Sequence, residues 1–207
     1  MSHATPNLWF SVLCPWLMLV LAAQGLAGYC GLKQRGWGRL AGLGLAAAGV
    51  LLVPVGGMPL AGWVRGFNAN FSLPFAALLA AAAYEAEFRR RVLSEREWTT
   101  AWVFGAVAGL GLYPLALGWG RFDPYEWGWR FSPLFMAGGV LTAFLLWKRN
   151  RFGLALLLAI AAYHLHLLES ANYWDYLLDP VYWLVSLAAL GWRLFSRVRR
   201  VPSPAPQ

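Results

Sequence analysis

The chain has 207 residues, of which 59% are hydrophobic and only 13% are charged, and its mean hydropathy is +0.51. Soluble domains carry about 25% charged residues, so this composition with its long apolar runs indicates an integral membrane protein. The formal net charge of +8 does not indicate a nucleic-acid-binding protein, because the basic residues occur in short clusters between apolar runs.

Apolar segments bounded by charged or turn-forming residues predict an all-α bundle of seven transmembrane helices. Several segments are shorter than the roughly 20 residues that cross a bilayer, and we expect flanking aromatic residues and arginines to extend them. In chain order the segments are 8–32, 40–55, 73–84, 99–119, 133–147, 154–168 and 181–194. We expect one transmembrane domain over residues 1–200 and a disordered, proline-containing tail over 201–207.

The distribution of lysine and arginine between alternate loops predicts the orientation of the chain. Only Arg65, Arg121 and Arg130 fall in loops on one side, and the other 14 of the 17 basic residues fall on the opposite side. Cytosolic loops are richer in lysine and arginine than exported loops. We therefore expect the N-terminus outside and the C-terminus in the cytosol. The Ala-, Leu- and Gly-rich composition favours a bacterial inner membrane.

Capping residues occur at several predicted helix starts. Ser132 and Asp179 each precede a proline, which is typical of an N-cap followed by proline at the first helical position. Ser94 and Glu97 have the spacing of a capping box at the start of the fourth segment. These side chains are expected to serve the fold rather than a reaction.

The third segment is followed by charged residues that are spaced for helical ion pairs. Glu85 and Glu87 lie four residues before Arg89 and Arg91, in the order that stabilises a helix. This spacing predicts that the helix continues beyond the membrane into the cytosol.

Two Gly-x-x-x-Gly motifs, Gly38/Gly42 and Gly105/Gly109, lie in the second and fourth segments. Small residues at this spacing let two helices approach closely. We expect both motifs to serve packing within the chain rather than a dimer interface.

Polar residues are densest between the sixth and seventh segments, where residues 163–180 contain two of the three histidines and three of the nine acidic residues. His166 and Glu169 would share a helix face, continued by Tyr173, if the sixth helix extended this far. His164 would point about 160° away from His166, so the two histidines could not ligate one metal ion.

Two interpretations of this stretch remain open. His166 and Glu169, with Asp175 or Asp123, could form an outward-facing acid–base or metal site, in which Glu169 pairs with Arg121 or Arg130. The same side chains could instead be hydrogen-bonding residues at the membrane interface, because no HExxH-like spacing is present.

Asp123 with Glu126 also fits a capping box on a short helix. The candidate catalytic residues are His166, Glu169, Asp123 and Asp175. The candidate substrate- or lipid-binding residues are Arg65, Asn68, Asn70, Arg121, Arg130, Asn172 and Trp174. The sequence assigns neither a metal ion nor a cofactor to these residues.

Three functions fit these features. The favoured one is a non-catalytic subunit or accessory factor of a membrane or cell-envelope complex, with a polar site on its outer, periplasm-facing side. The alternatives are an outer-leaflet hydrolase or transferase acting on a lipid-linked or envelope substrate, and a transporter or scramblase. A lack of ionisable residues near the middle of the segments disfavours transport. The expected partners are the lipid bilayer and other membrane proteins, and no nucleic acid.

Overall fold

The computed structural model describes residues 4–32, 34–129 and 131–199, and it confirms the all-α prediction. The helices are α1 (Ala4–Tyr29), α2 (Trp37–Leu52), α3 (Leu60–Phe67), α4 (Leu73–Phe88), α5 (Glu95–Pro114), α6 (Pro133–Trp147), α7 (Phe152–His164), α8 (Tyr173–Leu177) and α9 (Pro180–Val198). The only strands in these ranges, Pro54–Val55 and Met58–Pro59, pair antiparallel. A π-helical turn, Leu115–Trp119, extends α5, and a 3-10 helix covers Pro124–Gly128.

Within the described residues, two stretches of helix are long and apolar enough to cross a membrane: Phe10–Tyr29 within α1, and Glu95–Trp119, which joins α5 to the π-helical turn. The helices α2, α6 and α7 are apolar but shorter. The expected tail, residues 201–207, lies outside the described residues.

The helix surfaces are apolar, whereas several buried side chains are polar. Leu45 on α2, Val107 on α5 and Val140 on α6 are 75%, 64% and 66% exposed. Glu87 and Asp179 are each only 1% exposed. Soluble monomers rarely expose apolar patches of this extent, so this surface is consistent with a protein surrounded by lipid.

Helix α4 lies at the centre of the arrangement and packs against α1, α7 and α8. On one side α1 also packs against α2, and on the other side α7 packs against α6. Helices α5 and α9 form a close pair that contacts α7 through α5. The main core includes Phe75 and Leu78 of α4, Leu156 of α7, Tyr176 of α8 and Tyr182 of α9.

The two ends of this bundle differ in their charged residues, and each end is named here by its loops. The acidic end contains the loops 68–72, 120–132 and 165–179. The basic end contains the loops 30–36, 89–94 and 148–151.

Asp179 joins the starts of two helices at the acidic end. Its Oδ1 accepts a hydrogen bond from the Tyr182 amide at 2.9 Å, which confirms Asp179 as the N-cap of α9. Its Oδ2 accepts hydrogen bonds from Ser72, the residue before α4, at 3.0 Å from the amide and 2.7 Å from the hydroxyl. One carboxylate therefore satisfies donors at the beginnings of both α4 and α9.

Glu85 and Glu87 do not form the predicted helical ion pairs. Helix α4 ends at Phe88, and Arg89 follows in the left-handed conformation with φ 53°. The two glutamates consequently face other groups, and Arg91 pairs with Glu95 instead.

The glutamates at the end of α4 bind backbone amides. Glu85 Oε1 accepts hydrogen bonds from the amides of Val92 and Leu93, both at 2.8 Å. Glu87 Oε1 accepts one from the amide of Gly36, the residue before α2, also at 2.8 Å. These bonds fold the loop after α4 and attach α2 to α4 at the basic end.

The structure contains the predicted cap of α5 but not the predicted side-chain cap of α6. Ser94 and Glu97 form the predicted capping box, and Glu97 Oε1 also accepts a hydrogen bond from the Arg151 amide, at 2.6 Å, before α7. Ser132 precedes α6 as predicted, but its hydroxyl donates to the Trp127 carbonyl and does not cap the helix.

The two Gly-x-x-x-Gly motifs differ in whether another part of the described chain packs against them. A Cβ atom at Gly105 would lie 2.2 Å from the Ser186 hydroxyl, and one at Gly109 would lie 2.1 Å from the Trp183 ring. The prediction of packing within the chain is therefore confirmed for α5, which meets α9 at these glycines. It is wrong for Gly38 and Gly42 of α2, because nothing in the described part of the chain lies within 4 Å of a Cβ built at either position.

Replacement of Asp179 by asparagine should destabilise the protein by about 1–3 kcal/mol, the cost of leaving a buried hydrogen-bonding group unpaired. Asparagine has one oxygen, so it cannot accept from both Tyr182 and Ser72. Thermal unfolding in detergent measures the effect. Asp123→Asn is the control, because exposed Asp123 accepts one backbone hydrogen bond, which asparagine retains. Equal melting temperatures for the two variants would contradict the dual role of Asp179.

Candidate functional site

At the acidic end, the 3-10 helix and the segment around α8 are joined by side-chain hydrogen bonds. The Tyr125 hydroxyl donates to Asp175 Oδ2 at 2.9 Å. Asn172 Nδ2 donates to the Tyr125 carbonyl at 3.0 Å, and Trp174 Nε1 donates to the Pro124 carbonyl at 2.9 Å. These bonds hold the loop 120–132 against the loop 165–179.

Asn172 occupies the centre of this contact and is fully buried. Its Oδ1 accepts from the Trp174 amide at 2.9 Å and thereby caps α8. A Cβ at residue 128 would lie 1.6 Å from this oxygen, so only glycine fits there. Asn172 and Trp174, predicted to bind a substrate or lipid, are thus joined to the opposite loop by their side chains.

Asp175 has lost much of its contact with solvent, and this burial raises the pKa of its carboxyl group. Hydrogen bonds from Ser170 and Tyr125 oppose the shift, because they stabilise the ionised form. Burial also raises the pKa of Tyr125, and the negative charge of Asp175 adds to that shift. The raised pKa of Tyr125 keeps its hydroxyl protonated near neutral pH, so Tyr125 is the donor of this hydrogen bond.

The predicted pairing of His166 with Glu169 on one helix face is wrong. Helix α7 ends at His164, and His166 has a φ of 50°, which no α-helix accommodates. The chain turns here because the His166 amide donates to the Tyr163 carbonyl at 3.1 Å. The helix face that was expected to continue to Tyr173 therefore does not form.

Glu169 pairs with Arg65 of α3, and not with Arg121 as expected. Arg130, the other expected partner, lies outside the described residues. Arg121 is exposed and forms no hydrogen bond or ion pair with any residue that the structure describes. The Arg65–Glu169 pair joins the short helix α3 to the loop after α7.

The four candidate catalytic residues each have a different neighbour or hydrogen-bond partner. Asp123 caps the 3-10 helix through the Tyr125 amide at 2.9 Å, as predicted, but Glu126 does not complete the predicted capping box. Asp175 binds the Tyr125 hydroxyl, Glu169 binds Arg65, and His166 is exposed beside the Tyr163 ring. Within the described ranges, no group of three or more His, Cys, Asp or Glu residues could hold a metal ion.

A polar patch with unused hydrogen-bonding capacity lies between α3 and α4. Asn68 Oδ1 accepts from the Asn70 amide at 3.2 Å, but Asn68 Nδ2 and Asn70 Oδ1 are buried without a partner among the described residues. Arg65 Nε is also buried without a partner among the described residues, although Nη2 of the same guanidinium binds Glu169. These three side chains, predicted to bind a substrate or lipid, lie close together in sequence and retain free donors and acceptors.

No family model matches this chain, and no significant match exists among the curated proteins or the solved structures. The geometry of the described residues is therefore the basis for the functional interpretation.

The raised pKa of Asp175 makes the stability of the protein depend on pH. The folded state binds a proton at Asp175 more tightly than the unfolded state, so its ionisation destabilises the fold near pH 7. That penalty shrinks as the pH falls through the folded pKa and disappears below the unfolded pKa of about 3.9.

The stability of the wild type relative to Asp175→Asn should consequently increase as the pH falls from 7 to 4.5, because asparagine does not titrate. Melting temperatures of the two proteins in detergent at both pH values test this. A difference that is constant with pH would show that Asp175 ionises without a penalty.

Proposed function

We propose that this protein is a seven-helix protein of a bacterial inner membrane that acts as a non-catalytic subunit or accessory factor of a membrane or cell-envelope complex. Its spanning helices would be α1, α2, α4, α5, α6, α7 and α9. Its N-terminus would lie outside and its C-terminus in the cytosol.

Contacts between loops support this topology. At the basic end, Arg35 donates to the Ala86 carbonyl and Arg151 donates to the Val92 carbonyl. These bonds join the loop 30–36 to the end of α4, and the loop 148–151 to the loop 89–94 that follows α4. An alternating path would place these three loops on one side of the membrane. The excess of arginine in these loops supports their placement in the cytosol.

Reporter fusions test the orientation. A reporter after Gln207 is expected to be active only in the cytosol, and one before Met1 only outside the cell. A reporter in the loop 148–151 serves as an internal control and should agree with the C-terminal one. A C-terminal reporter active outside the cell would contradict the proposed topology.

The exposed surface of α2 is the main support for the proposal that the protein is a subunit of a complex. Gly38, Gly42, Leu45 and Gly49 follow one another at helical spacing and form a single face, called here the α2 stripe. All four are exposed, and nothing described lies within 4 Å of a Cβ built at any of the three glycines.

The α5 motif is the internal comparison for the α2 stripe. There, the same Gly-x-x-x-Gly spacing is filled by Tyr182, Trp183 and Ser186 of α9. Close helix approach at small residues is a main source of helix association in membranes. The unfilled α2 stripe, at the edge of the bundle, therefore fits a transmembrane helix of a partner protein.

The acidic end supports a non-catalytic role. Asp123 caps its own 3-10 helix, Glu169 and Asp175 each join two elements, and none of the three is paired with His166. Acid–base catalysis requires at least one such group within hydrogen-bonding reach of a reacting atom in a common site.

The double substitution Gly38→Leu/Gly42→Leu should reduce partner recovery at least fivefold without lowering the melting temperature of the isolated chain. Leucine fills the stripe, and it also favours the helical conformation more than glycine does. The measurement is the stoichiometry of the complex purified from native membranes in mild detergent, with the partner identified by mass spectrometry.

Gly111→Leu is the matched control, because Gly111 is an exposed glycine of α5 with no described atom within 4 Å of its Cβ position. It should leave the complex intact. Wild-type recovery with the double variant would contradict the proposed interface, and so would an equal loss with Gly111→Leu.

An outer-leaflet enzyme is the second candidate, and the polar patch of Arg65, Asn68 and Asn70 favours it. Its unpaired polar atoms could bind the polar part of a lipid-linked substrate. Loss of cellular function in Asn70→Ala, with the complex still assembled, would support the enzyme over the subunit.

A further inference from the structure

Two adjoining cavities open at the basic end, where α1, α2 and α4 meet. The first, of about 430 Å³, is lined by Gln24, Arg35, Arg39, Glu85 and Arg89, together with apolar atoms of α1 and α4. Its volume lies within the range of small-molecule sites, which hold roughly 300–1,000 Å³.

The second cavity, of about 490 Å³, shares Arg35 and Arg89 with the first. Its other walls are Gly28, Gly31 and Leu32, at the end of α1 and the start of the following loop. Arg35 and Arg89 thus stand at the boundary of one composite site, called here the arginine site.

The arginine site contains positive charge that the described residues leave partly uncompensated. Arg39 lies 3.9 Å from the buried Glu87 carboxylate, which offsets its charge. Arg35 donates to the Ala86 carbonyl, a neutral group. The Arg89 backbone amide donates to the Glu85 carbonyl, but the Arg89 side chain forms no hydrogen bond or ion pair with any described residue. The nearby Glu85 already accepts two backbone hydrogen bonds.

The backbone conformation of Arg89 is uncommon for a residue that carries a side chain. Arg89 ends α4 in the left-handed region with φ 53°. Helix ends in this conformation usually carry glycine, because a side chain there is sterically disfavoured. Arginine at this position therefore carries a conformational cost, as does Arg149 with the same φ of 53°.

Gln24 supplies an unpaired acceptor in the same cavity. Its Nε2 donates to the Ala83 carbonyl and to the Glu87 carboxylate, each at 3.1 Å. Both partners are acceptors, which fixes the orientation of the amide. Gln24 Oε1 is then buried without a donor among the described residues, and the whole residue is only 7% exposed.

We propose that the arginine site binds a phosphate ester whose polar group also carries a hydroxyl or ammonium donor. Arg35 and Arg89 would bind the phosphate oxygens through charge-assisted hydrogen bonds, and the donor would satisfy Gln24 Oε1. Such a group is the headgroup of a phospholipid, or a soluble phosphate ester of the same chemistry.

The experiment measures ligand binding to the purified full-length protein. Native mass spectrometry and melting temperatures are recorded in detergent with phosphatidylglycerol, with soluble glycerol phosphate and with phosphatidylcholine, whose headgroup has a phosphate but no donor. Phosphatidylglycerol or glycerol phosphate should bind and raise the melting temperature, and phosphatidylcholine should bind more weakly. Binding of the lipid alone identifies a headgroup site, and binding of glycerol phosphate alone identifies a soluble ligand.

Arg89→Gln should weaken binding roughly tenfold, since a hydrogen bond to a charged group contributes about 1.5 kcal/mol or more. Arg89→Lys should restore most of the binding because it retains the charge. Arg149→Gln is the matched control, since Arg149 is also an arginine with a left-handed backbone, φ 53°, in a loop of the basic end, and it lines neither cavity.

The melting temperature without ligand shows whether each variant is folded. Three results would each overturn the proposal. They are no binding of either donor-bearing phosphate ester by the wild type, equal binding by folded Arg89→Gln, and equal weakening by Arg149→Gln.

Discussion

The structure depends on buried carboxylates that accept hydrogen bonds from backbone amides at the starts of helices. The first amides of a helix have no partner within the helix, and an unpaired amide is costly in an apolar environment. Asp179 serves α4 and α9, Glu87 serves α2, and Glu97 serves α5 and α7. Each of these acids connects two elements that are distant in sequence, so the same side chain satisfies the start of a helix and holds a second element beside it.

The sequence predicts the helical elements of this fold well, because long apolar runs and capping residues are local signals. Ser94 with Glu97 and Asp179 before Pro180 are read directly from their spacing, and the structure contains both caps. The second partner of each acid is not local. Nothing around Asp179 in the sequence indicates Ser72, and nothing around Glu97 indicates the Arg151 amide.

The candidate site was harder to predict, because its interpretation assumed a helix that continued to Glu169. The helix ends at His164, and the positive φ of His166 is a property of the folded chain rather than of its local sequence. Polar density identified the loops that meet at the acidic end, but not the pairings Arg65–Glu169 and Tyr125–Asp175 within them. At the basic end, the sequence shows Gln24 within an apolar helix and arginines in the loops, but it does not indicate that these residues line one cavity.

The hydrogen bonds between Ser72 and Asp179 join residues 107 positions apart in the chain. During synthesis, α4 emerges from the ribosome long before α9, so the amide at its start has no protein partner for most of translation. Water can solvate that amide meanwhile if it lies at the edge of the membrane. Docking of α9 then exchanges this water for the Asp179 carboxylate, so the start of α4 gains its protein partner only when α9 is in place.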